Sequence, residues 1–357
     1  MKKIISVFLI TFLLLASTSG SLYGSTYDYK DEETLKIMDA VTKYLSIPLE
    51  EQKNLQVIDN IYIANSDLKK YKELQSKLLV EWYSGIGVKI EYYDLKVNIN
   101  SIQNVDDLIK VDLNNIVTFK YMNADFLSGY TDNYILYLNK ELLVEKEIYE
   151  MDSKAYLLES EINKKVGYNE YISDKIKTLK EKEIRLNNDI ADFKNTFAKS
   201  KDSNKDSIEL FGVIYNAQAA ASWALANVYA PEEYDADCTN FVSKAIHAGG
   251  IPTDGTWYQG SNAWIRVIEL RNWLLNKGYA NEYSSYSFAQ LGDVIQFKLR
   301  SNGLYTHSVI VTGKDNWSEY PYVSAHTSPR YNVLASIYYP DNDIKWSGYR
   351  VLDVHGN

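Results

Sequence analysis

The spacing of the apolar residues changes near residue 86 from a helical period to alternation with polar residues. Before the change, apolar side chains recur every three or four positions, which predicts two amphipathic helices. Ser66 or Asp67 is suited to cap the second helix, and Gly85 is suited to end it. The apolar faces comprise Leu35, Met38, Val41 and Leu45 in the first helix, and Leu68, Tyr71, Leu78 and Trp82 in the second.

After the change, two long runs at 88–99 and 109–121 alternate between apolar and polar residues, which predicts antiparallel strands. The phase of the first run shifts near Tyr93 and Asp94, and such a shift indicates a bulge. Helices followed by long strands indicate a small α+β domain over residues 26–155, with a curved sheet packed on helices. Its sequence contains no cluster of histidines, cysteines or paired carboxylates, so the predicted role of this domain is binding or spacing.

Residues 156–207 form a charged segment with a predicted helix and a polar linker at 199–207. Seven apolar residues of the helix follow a four-three spacing, which Glu183 interrupts once. This stripe fits a coiled-coil arm or the inner face of a helix that packs on its own domain, and the second use is commoner. We place the main domain boundary in the linker. The stripe comprises Ile172, Ile176, Leu179, Leu186, Ile190, Phe193 and Phe197.

Residues 208–357 combine predicted helices and strands, which indicates a second α+β domain. An alanine-rich helix is predicted over 215–228. A second helix begins near Cys238 and ends at Gly249 and Gly250. The remaining predicted elements are a helix over 263–277 and strands over 294–297, 306–312, 322–326 and 349–352.

Residues 1–24 are typical of a signal peptide that is removed on export. Lys2 and Lys3 give a positive start, an apolar run follows at 4–16, and small residues occupy 17–21. The apolar run is short for a transmembrane helix, which favours cleavage over the alternative of an uncleaved anchor. The sequence therefore predicts a secreted or cell-envelope protein on the extracellular side, without stable membrane insertion.

The chain of 357 residues carries a net charge of -9. An acidic protein of this kind does not bind nucleic acid through a general electrostatic field, so no nucleic-acid partner is predicted. The spacing of its histidines and its cysteine is not typical of a zinc site. We therefore predict no metal and no cofactor.

Cys238 is the only cysteine in the sequence. Exported proteins commonly pair their cysteines in disulfides, and this one cannot pair within its own chain. The apolar spacing of Phe241, Val242, Ala245 and Ile246 places Cys238 in the first turn of a helix. Free backbone N–H groups and the helix dipole lower the pKa of a thiol there and favour the nucleophilic thiolate. A buried cysteine that acts as a small apolar side chain is the competing interpretation.

A nucleophilic thiol needs a base, and the chain offers four histidines. His247 lies nine residues after Cys238 on the same helix and cannot reach it, while His355 lies in a terminal segment expected to fray. His307 and His326 remain, each at an end of a predicted strand, and a structural role is the competing interpretation for each. If the two strands form a regular hairpin, the two imidazoles lie opposite each other on one face. One imidazole can then hold the other in its working tautomer.

The most specific motif is the string DCTNFVS, which begins at Asp237 and is followed later by a strand that begins at His307. Further characteristic stretches are YNAQAAA at 215–221, Gly249-Gly250, Trp264, GDVI at 292–295, HSVIVT at 307–312 and AHT at 325–327. With these motifs, residues 213–357 resemble the putative amidase domain family of Gram-positive bacteria. This family lies within the papain-like superfamily that includes the NlpC-like and CHAP cell-wall hydrolases. The first half of the chain has no part in the resemblance.

The resemblance implies a papain-like fold and a cysteine-dependent amidase or peptidase. It implies that Cys238 is the nucleophile, His307 the general base and His326 the third residue, which orients the base. Asn332 or Asp315 is the alternative third residue. Weaker candidates for substrate contact or the oxyanion hole are Asp237, Asn240 and Trp264, beside the backbone N–H of Cys238.

The predicted reaction is hydrolysis of amide bonds through an acyl-enzyme, with peptidoglycan peptides or an envelope protein as substrate. Trp257 and Tyr258 are further candidates for a substrate groove, although tryptophans beside a helix are more often core residues. An acyltransferase that uses the same residues is one alternative. A papain-like binding module without activity is another, but the presence of all three candidate residues favours an enzyme.

Overall fold

The computed structural model describes residues 32–198, 213–314 and 319–357. The predicted signal peptide, the predicted linker at 199–207 and Asp315 lie outside these ranges. The described chain is α+β, as predicted, with helices packed on a large antiparallel sheet. Within these ranges, no helix has the length and apolar character needed to cross a bilayer.

The helices and strands follow one another in blocks. The helices are α1 (Glu32–Asn54), α2 (Ser66–Ile86), α3 (Ala155–Lys165), α4 (Tyr168–Ala198), α5 (Ala217–Asn227), α6 (Cys238–Ala248), α7 (Asn262–Ile265) and α8 (Val267–Asn276). The strands are β1 (Ile90–Val105), β2 (Leu108–Tyr121), β3 (Ser128–Leu138), β4 (Val144–Ile148), β5 (Ala280–Tyr283), β6 (Val294–Leu299), β7 (Tyr305–Lys314), β8 (Pro321–Ala325), β9 (Arg330–Leu334) and β10 (Trp346–Val354).

One sheet runs through both halves of the described chain in the order β1-β2-β3-β9-β8-β7-β6-β10-β5, and β4 pairs with β3. The junction between the halves is the β3–β9 pair, in which Gly129 lies opposite Tyr331 and Tyr130 lies opposite Arg330. A Cβ atom at Gly129 would lie 2.8 Å from a carbonyl oxygen of β2, so glycine permits the close approach of β2 and β3 beside this junction. The strands of the N-terminal half thus extend the sheet that contains β7.

Helix α2 begins and ends slightly differently from the prediction. Its cap is Asn65, whose side chain accepts hydrogen bonds from the backbone N–H groups of Asp67 and Leu68 at 3.0 and 2.9 Å. Its end is Gly87, with φ 74°, because only glycine adopts this left-handed conformation without strain. Gly85, the predicted end, lies inside the helix, where a Cβ atom would meet Ile190 of α4 at 2.6 Å.

The bulge predicted near residues 93 and 94 is also misplaced. Tyr93 and Asp94 pair regularly with β2, and the register of β1 shifts instead after Ile90 and after Ile99. Tyr92 is 50% exposed, so its apolar character does not mark the buried face of the strand. The shift of phase in the sequence reflects the register shift after Ile90, beyond which Tyr93, Leu95 and Val97 face the core.

Helix α4 confirms the inner-face interpretation of the apolar stripe. The stripe residues that are fully buried include Leu186, Phe193 and Phe197. The ring of Phe193 lies 5.3 Å from that of Trp82 in α2 and 4.8 Å from that of Tyr320 in the C-terminal half. Helix α4 therefore packs against both halves of the chain.

The C-terminal half contains the predicted elements with two differences. The single helix predicted over 263–277 is divided into α7 and α8, because Arg266 has extended dihedrals of -114° and 131°. Side chains bind the carbonyl groups at the break: Ser243 donates to Trp264 at 2.8 Å, and Gln296 donates to Val267 at 2.9 Å. Strands β5 and β9 are additional to the prediction.

Candidate active site

Cys238 is the first residue of α6, as the apolar spacing predicts. The backbone N–H of Phe241 donates to the carbonyl of Asp237 at 2.9 Å, which is the first hydrogen bond of the helix. Phe241, Val242 and Ile246 are buried and fix α6 against the sheet. The thiol is therefore held beside backbone N–H groups of the first turn, which precede the regular helical hydrogen bonds.

The structure brings Cys238 and His307 together. The thiol of Cys238 and the imidazole of His307 lie close enough that each shifts the pKa of the other. The Cys238 Sγ atom also lies 4.0 Å from the carbonyl oxygen of Thr306 and 3.7 Å from Oγ1 of Thr239. Cys238 is 6% exposed and His307 is 4% exposed, so both groups lie at a site with little contact to solvent.

The two groups shift each other's pKa in opposite directions. Burial alone opposes ionisation of the Cys238 thiol, but the hydrogen bond and charge of His307 outweigh it, and the pKa of Cys238 falls below its ordinary value. Burial would also lower the pKa of His307, but the Asp152 carboxylate and the Cys238 thiolate raise it above its ordinary value, against the opposing charge of Lys345. These directions favour a thiolate–imidazolium pair, which is the reactive form of a cysteine nucleophile.

Aromatic rings enclose the imidazole of His307. The ring centroids of Tyr338, Trp346 and Phe297 lie 5.1, 5.6 and 6.4 Å from it. The buried nitrogen Nε2 of His307 forms no hydrogen bond with any residue that the structure describes. The rings thus hold the plane of the imidazole by packing and leave one nitrogen available.

The predicted alignment of His307 with His326 is wrong by one residue. Strands β7 and β8 pair Ile310 with Ser324, and a shift of register separates this part from the pairing of Gly313. If the pairing of Ile310 with Ser324 is continued by two residues along each strand, Ser308 lies opposite His326. Neighbouring residues of a strand point to opposite faces, so His307 and His326 do not share a face.

His326 instead binds the segment that precedes Cys238. Its Nδ1 lies 2.5 Å from Oδ2 of Asp237, and its Nε2 lies 2.8 Å from the carbonyl oxygen of Ala230. Burial lowers the pKa of His326, but the hydrogen bonds to Asp237 and Ala230 outweigh it and raise the pKa above the ordinary value. Both nitrogens face acceptors, so His326 is positioned to anchor the start of α6 and not to orient His307.

The three weaker candidates form one network with His326. Trp264 donates from Nε1 to Oδ1 of Asn240 at 2.8 Å, and the amide of Asn240 donates to Oδ1 of Asp237 at 2.9 Å and to Glu233 at 3.2 Å. Both N–H groups of the Asn240 amide are thus engaged, the carboxylate of Asp237 only accepts, and the backbone N–H of Asp237 donates to Thr327. The network fixes the first turn of α6 and leaves the backbone N–H of Cys238 as the candidate oxyanion donor.

The remaining predicted residues lie away from the reactive pair. Trp257 and Trp264 are buried, with ring centroids 4.5 Å apart, so they belong to the core, while Tyr258 is 52% exposed. Asn332 accepts a hydrogen bond from Oγ1 of Thr312 at 2.9 Å. Its side chain is therefore bound to the middle of β7, far along the strand from His307.

Two residues near His307 were not predicted. Asp152 lies between β4 and α3, and its carboxylate is the charge that most raises the pKa of His307. Tyr338 follows β9 and contacts the imidazole. Neither residue belongs to a recognisable motif, and tertiary structure alone places them at the site, so the sequence carried no signal for them.

A cavity of about 810 Å³ lies between the N-terminal helices and the sheet. Its size alone would suggest a reaction site, but its lining contains neither Cys238 nor His307 nor another cysteine or histidine. We therefore place the candidate reaction at Cys238. The cavity borders Met151, Ser153 and Arg330, which surround Asp152. Its tyrosines are Tyr44, Tyr71, Tyr83, Tyr121, Tyr130, Tyr134 and Tyr149.

Two proteins of Bacillus subtilis (strain 168) are similar to part of this chain. The uncharacterized protein YjcM is 31% identical over 134 residues, which cover 33% of this chain and 32% of YjcM. The uncharacterized protein YhbB is 32% identical over 112 residues, which cover 27% of this chain and 35% of YhbB. The chain thus spans about a third of the length of each of these relatives. No solved structure matches the chain.

The family described as a putative amidase domain matches residues 214–349. This range contains Cys238 and His307 and begins after α4. The match confirms the resemblance that the motifs around Asp237 and His307 indicate. Residues 214–349 of the chain are thus similar to the family described as a putative amidase domain.

Proposed function

We propose that residues 208–357 form a papain-like cysteine amidase, with Cys238 as the nucleophile and His307 as the general base. The observation that carries this proposal is the pairing of two buried groups, the Cys238 thiol at the start of α6 and the His307 imidazole on β7, which shift each other's pKa. The description of the matched family supports amide hydrolysis. The order of a helix that begins with cysteine and a later strand that carries histidine supports the papain-like assignment.

The proposed substrates are amide bonds of peptidoglycan peptides or of an envelope protein. The signal-like sequence at 1–24 supports a site of action outside the cell, either in the envelope or in the medium. The large cavity between the N-terminal helices and the sheet supports binding of a polar chain, because its tyrosines, all from the N-terminal half, combine an apolar ring with a hydroxyl group. In this proposal the N-terminal half binds substrate and the C-terminal half carries out the reaction.

In the first half of the reaction, the Cys238 thiolate attacks the carbonyl carbon of the amide. A sulfur–carbon bond forms, and the carbonyl electron pair moves onto oxygen, where the backbone N–H of Cys238 stabilises the charge. The carbon–nitrogen bond then breaks as the His307 imidazolium donates its proton to the departing amine. The products of this step are a free amine and a thioester on Cys238.

In the second half, His307 is neutral and accepts a proton from a water molecule. The resulting hydroxide adds to the thioester carbon, and the carbon–sulfur bond breaks to release a carboxylic acid. The thiolate and the imidazolium are thereby restored. The network of His326, Asp237 and Asn240 holds the first turn of α6 in place throughout, because none of its members exchanges a proton with substrate.

The test is the pH dependence of Cys238 alkylation by iodoacetamide, measured by mass spectrometry on residues 25–357. Wild type is expected to react well below pH 8, since the pKa of the thiol is lowered. His307→Ala is expected to move the profile up to that of an ordinary thiol. His247→Ala is the matched control, because His247 is an exposed histidine near the other end of α6.

Release of amines from muropeptides then tests turnover. Wild type is expected to release amines and Cys238→Ala to lose all release, because no other group can form the thioester. If wild-type Cys238 reacts like an ordinary or inaccessible thiol and His307→Ala changes nothing, the assignment of the nucleophile fails. The alternative of a binding module without activity then takes first place. Transfer of the acyl group to an added amine, without hydrolysis, would instead identify an acyltransferase.

A further inference from the structure

We propose that Asp152, from the N-terminal half of the chain, is the positioning residue of His307. In this arrangement Nδ1 of His307 faces the thiol of Cys238, and Nε2–H points to the Asp152 carboxylate. The inference rests on the proposed function, because it concerns the base of that reaction. It assigns the third position of the triad to a residue that lies outside the matched family range of 214–349.

Asp152 is a buried carboxylate with few compensating contacts. Its side chain is 4% exposed, and neither of its oxygens forms a hydrogen bond with a residue in the described ranges. The nearby cation is Arg330, whose Nη2 lies 3.9 Å from Asp152 and makes a shorter contact of 2.6 Å with Asp132. A buried charge without hydrogen bonds destabilises a fold, so a requirement of function is the physical reason to retain one.

The available polar atoms around Asp152 belong to the active site. The Nε2 atom of His307 and the hydroxyl of Tyr338 are buried and, within the described part of the chain, likewise form no hydrogen bond. The rings of His307 and Tyr338 lie 5.1 Å apart. Asp152 is the strongest charge that acts on each of these two side chains. The donor nitrogen of His307 and the acceptor carboxylate of Asp152 are therefore both buried without a hydrogen bond to the described residues, and the charge of one acts on the other.

The segment that carries Asp152 is tied to the strand beside His307. Lys345 donates hydrogen bonds to the carbonyl of Met151 and, at 3.2 Å, to the hydroxyl of Ser153, the two neighbours of Asp152. Trp346 follows Lys345 directly, and its ring lies 5.6 Å from that of His307. The backbone of Asp152 is held in the left-handed region with φ 56°. These contacts fix the carboxylate at a defined position relative to the imidazole.

The other charged or titratable groups that face His307 cannot take this role. Cys238 is the nucleophile, and Lys345 carries a positive charge that lowers the pKa of His307. Tyr338 offers a hydroxyl whose pKa is raised by burial and by Asp152, so it stays neutral. His326 is bound through both nitrogens elsewhere. Hydrogen bonds of catalytic residues are often long in the resting enzyme and shorten on substrate binding. This accounts for the Nε2 atom of His307, which forms no hydrogen bond with the described residues.

The test compares Asp152→Asn with wild type in residues 25–357. Asparagine tolerates a positive φ as aspartate does and keeps the size of the side chain, so only the charge is removed. We expect the pKa of His307 to fall and that of Cys238 to rise, which slows alkylation below pH 7 by about tenfold for each unit of pKa. The melting temperature is expected to stay constant or to rise, because a buried charge without hydrogen bonds is lost.

Two variants make the result specific. Asp343→Asn removes an equally buried carboxylate that forms ion pairs with Arg185 and Arg300. It is expected to lower the melting temperature and leave the alkylation profile unchanged. Asp152→Glu keeps the charge and is expected to restore part of the alkylation rate and of the amine release from muropeptides.

The proposal is overturned if Asp152→Asn lowers the melting temperature but alkylates like wild type, which would make Asp152 structural. It is also overturned if Asp343→Asn shifts the pH profile of Cys238 alkylation by the same amount. Loss of any buried carboxylate would then have this effect. These outcomes differ from a failure of the proposed function. If the proposed function fails, Cys238 of the wild-type protein already lacks the alkylation at low pH that depends on His307.

Discussion

At the scale of single residues, the two buried histidines of the C-terminal half have raised pKa values for different purposes. His326 binds Asp237 and Ala230 through its two nitrogens, so losing a proton would break one of these contacts. His307 keeps its buried nitrogen without a hydrogen bond to the described residues, and it borders the thiol. The first arrangement stabilises the charged imidazolium, whereas the second suits a group that gives and takes protons.

The contribution of His326 to stability is predicted to depend on pH. Its folded-state pKa lies above its ordinary value, so the contribution is complete below about pH 6.5, the pKa of an unfolded histidine. It is lost as the pH rises through the folded-state pKa. We expect His326→Ala to reduce the free energy of unfolding by about 1–3 kcal/mol in acid, and the difference from wild type to narrow in alkali.

Urea unfolding of wild type and His326→Ala between pH 5 and pH 9 measures this difference. His355→Ala is a control, since the imidazole of His355 contacts the neutral amide of Asn281. A gap between wild type and His326→Ala that stays constant over the whole range would show that His326 contributes by packing against Phe241 and not by its charge.

At the scale of helices and strands, periodicity predicted the elements but not their alignment. The start of α6 and the position of His307 on β7 follow from local spacing, and both were predicted. The face of the sheet to which His326 belongs depends on an extra residue in β7. The sequence of neither strand alone reveals this extra residue. Asp152 reaches the site through contacts across the sheet. The sequence thus predicted the elements that carry Cys238 and His307, whereas the groups around these two residues depend on long-range packing.

Gly292 is predicted to be required for the packing of α5 on the sheet. It has φ 82°, and a Cβ atom there would lie 2.8 Å from Cα of Ala217, the first residue of α5. Gly292→Ala combines the cost of a left-handed conformation with an overlap against backbone, so we expect a loss of about 2–4 kcal/mol in unfolding free energy. Urea denaturation measures this loss.

Gly303→Ala separates the two contributions. Gly303 has φ 69°, but a Cβ atom there would have no described atom within 4 Å, so only the conformational cost remains. We expect this variant to lose about 1–2 kcal/mol. Equal losses for the two variants would mean that α5 moves to relieve the overlap and that its contact with Gly292 is not rigid.

At the scale of the whole molecule, the predicted domain boundary at 199–207 contrasts with the continuity of the sheet. Strand β9 pairs with β3, and the buried Arg330 binds Asp132 at 2.6 Å and the carbonyl of Thr131 at 3.2 Å across this junction. Helix α4 packs on both sides. If Asp152 positions His307, the two halves must also keep a fixed relation for the enzyme to work. We therefore expect the junction to make the two halves unfold together, in addition to holding the site.

Arg330→Ala tests this expectation, because it leaves Asp132 and Asp152 buried without their cation. We expect the free energy of unfolding to fall by about 3–5 kcal/mol. Hydrogen exchange in α2 and in α6 is expected to report the same loss, since the two helices would unfold in one transition.

Arg271→Ala, which removes a partly exposed ion pair with Glu282, is the control and is expected to reduce the free energy of unfolding by less than about 1 kcal/mol. A loss confined to α6, with exchange in α2 unchanged, would show two units that unfold separately on either side of the predicted boundary. The site would then depend on docking of the two units after each has folded.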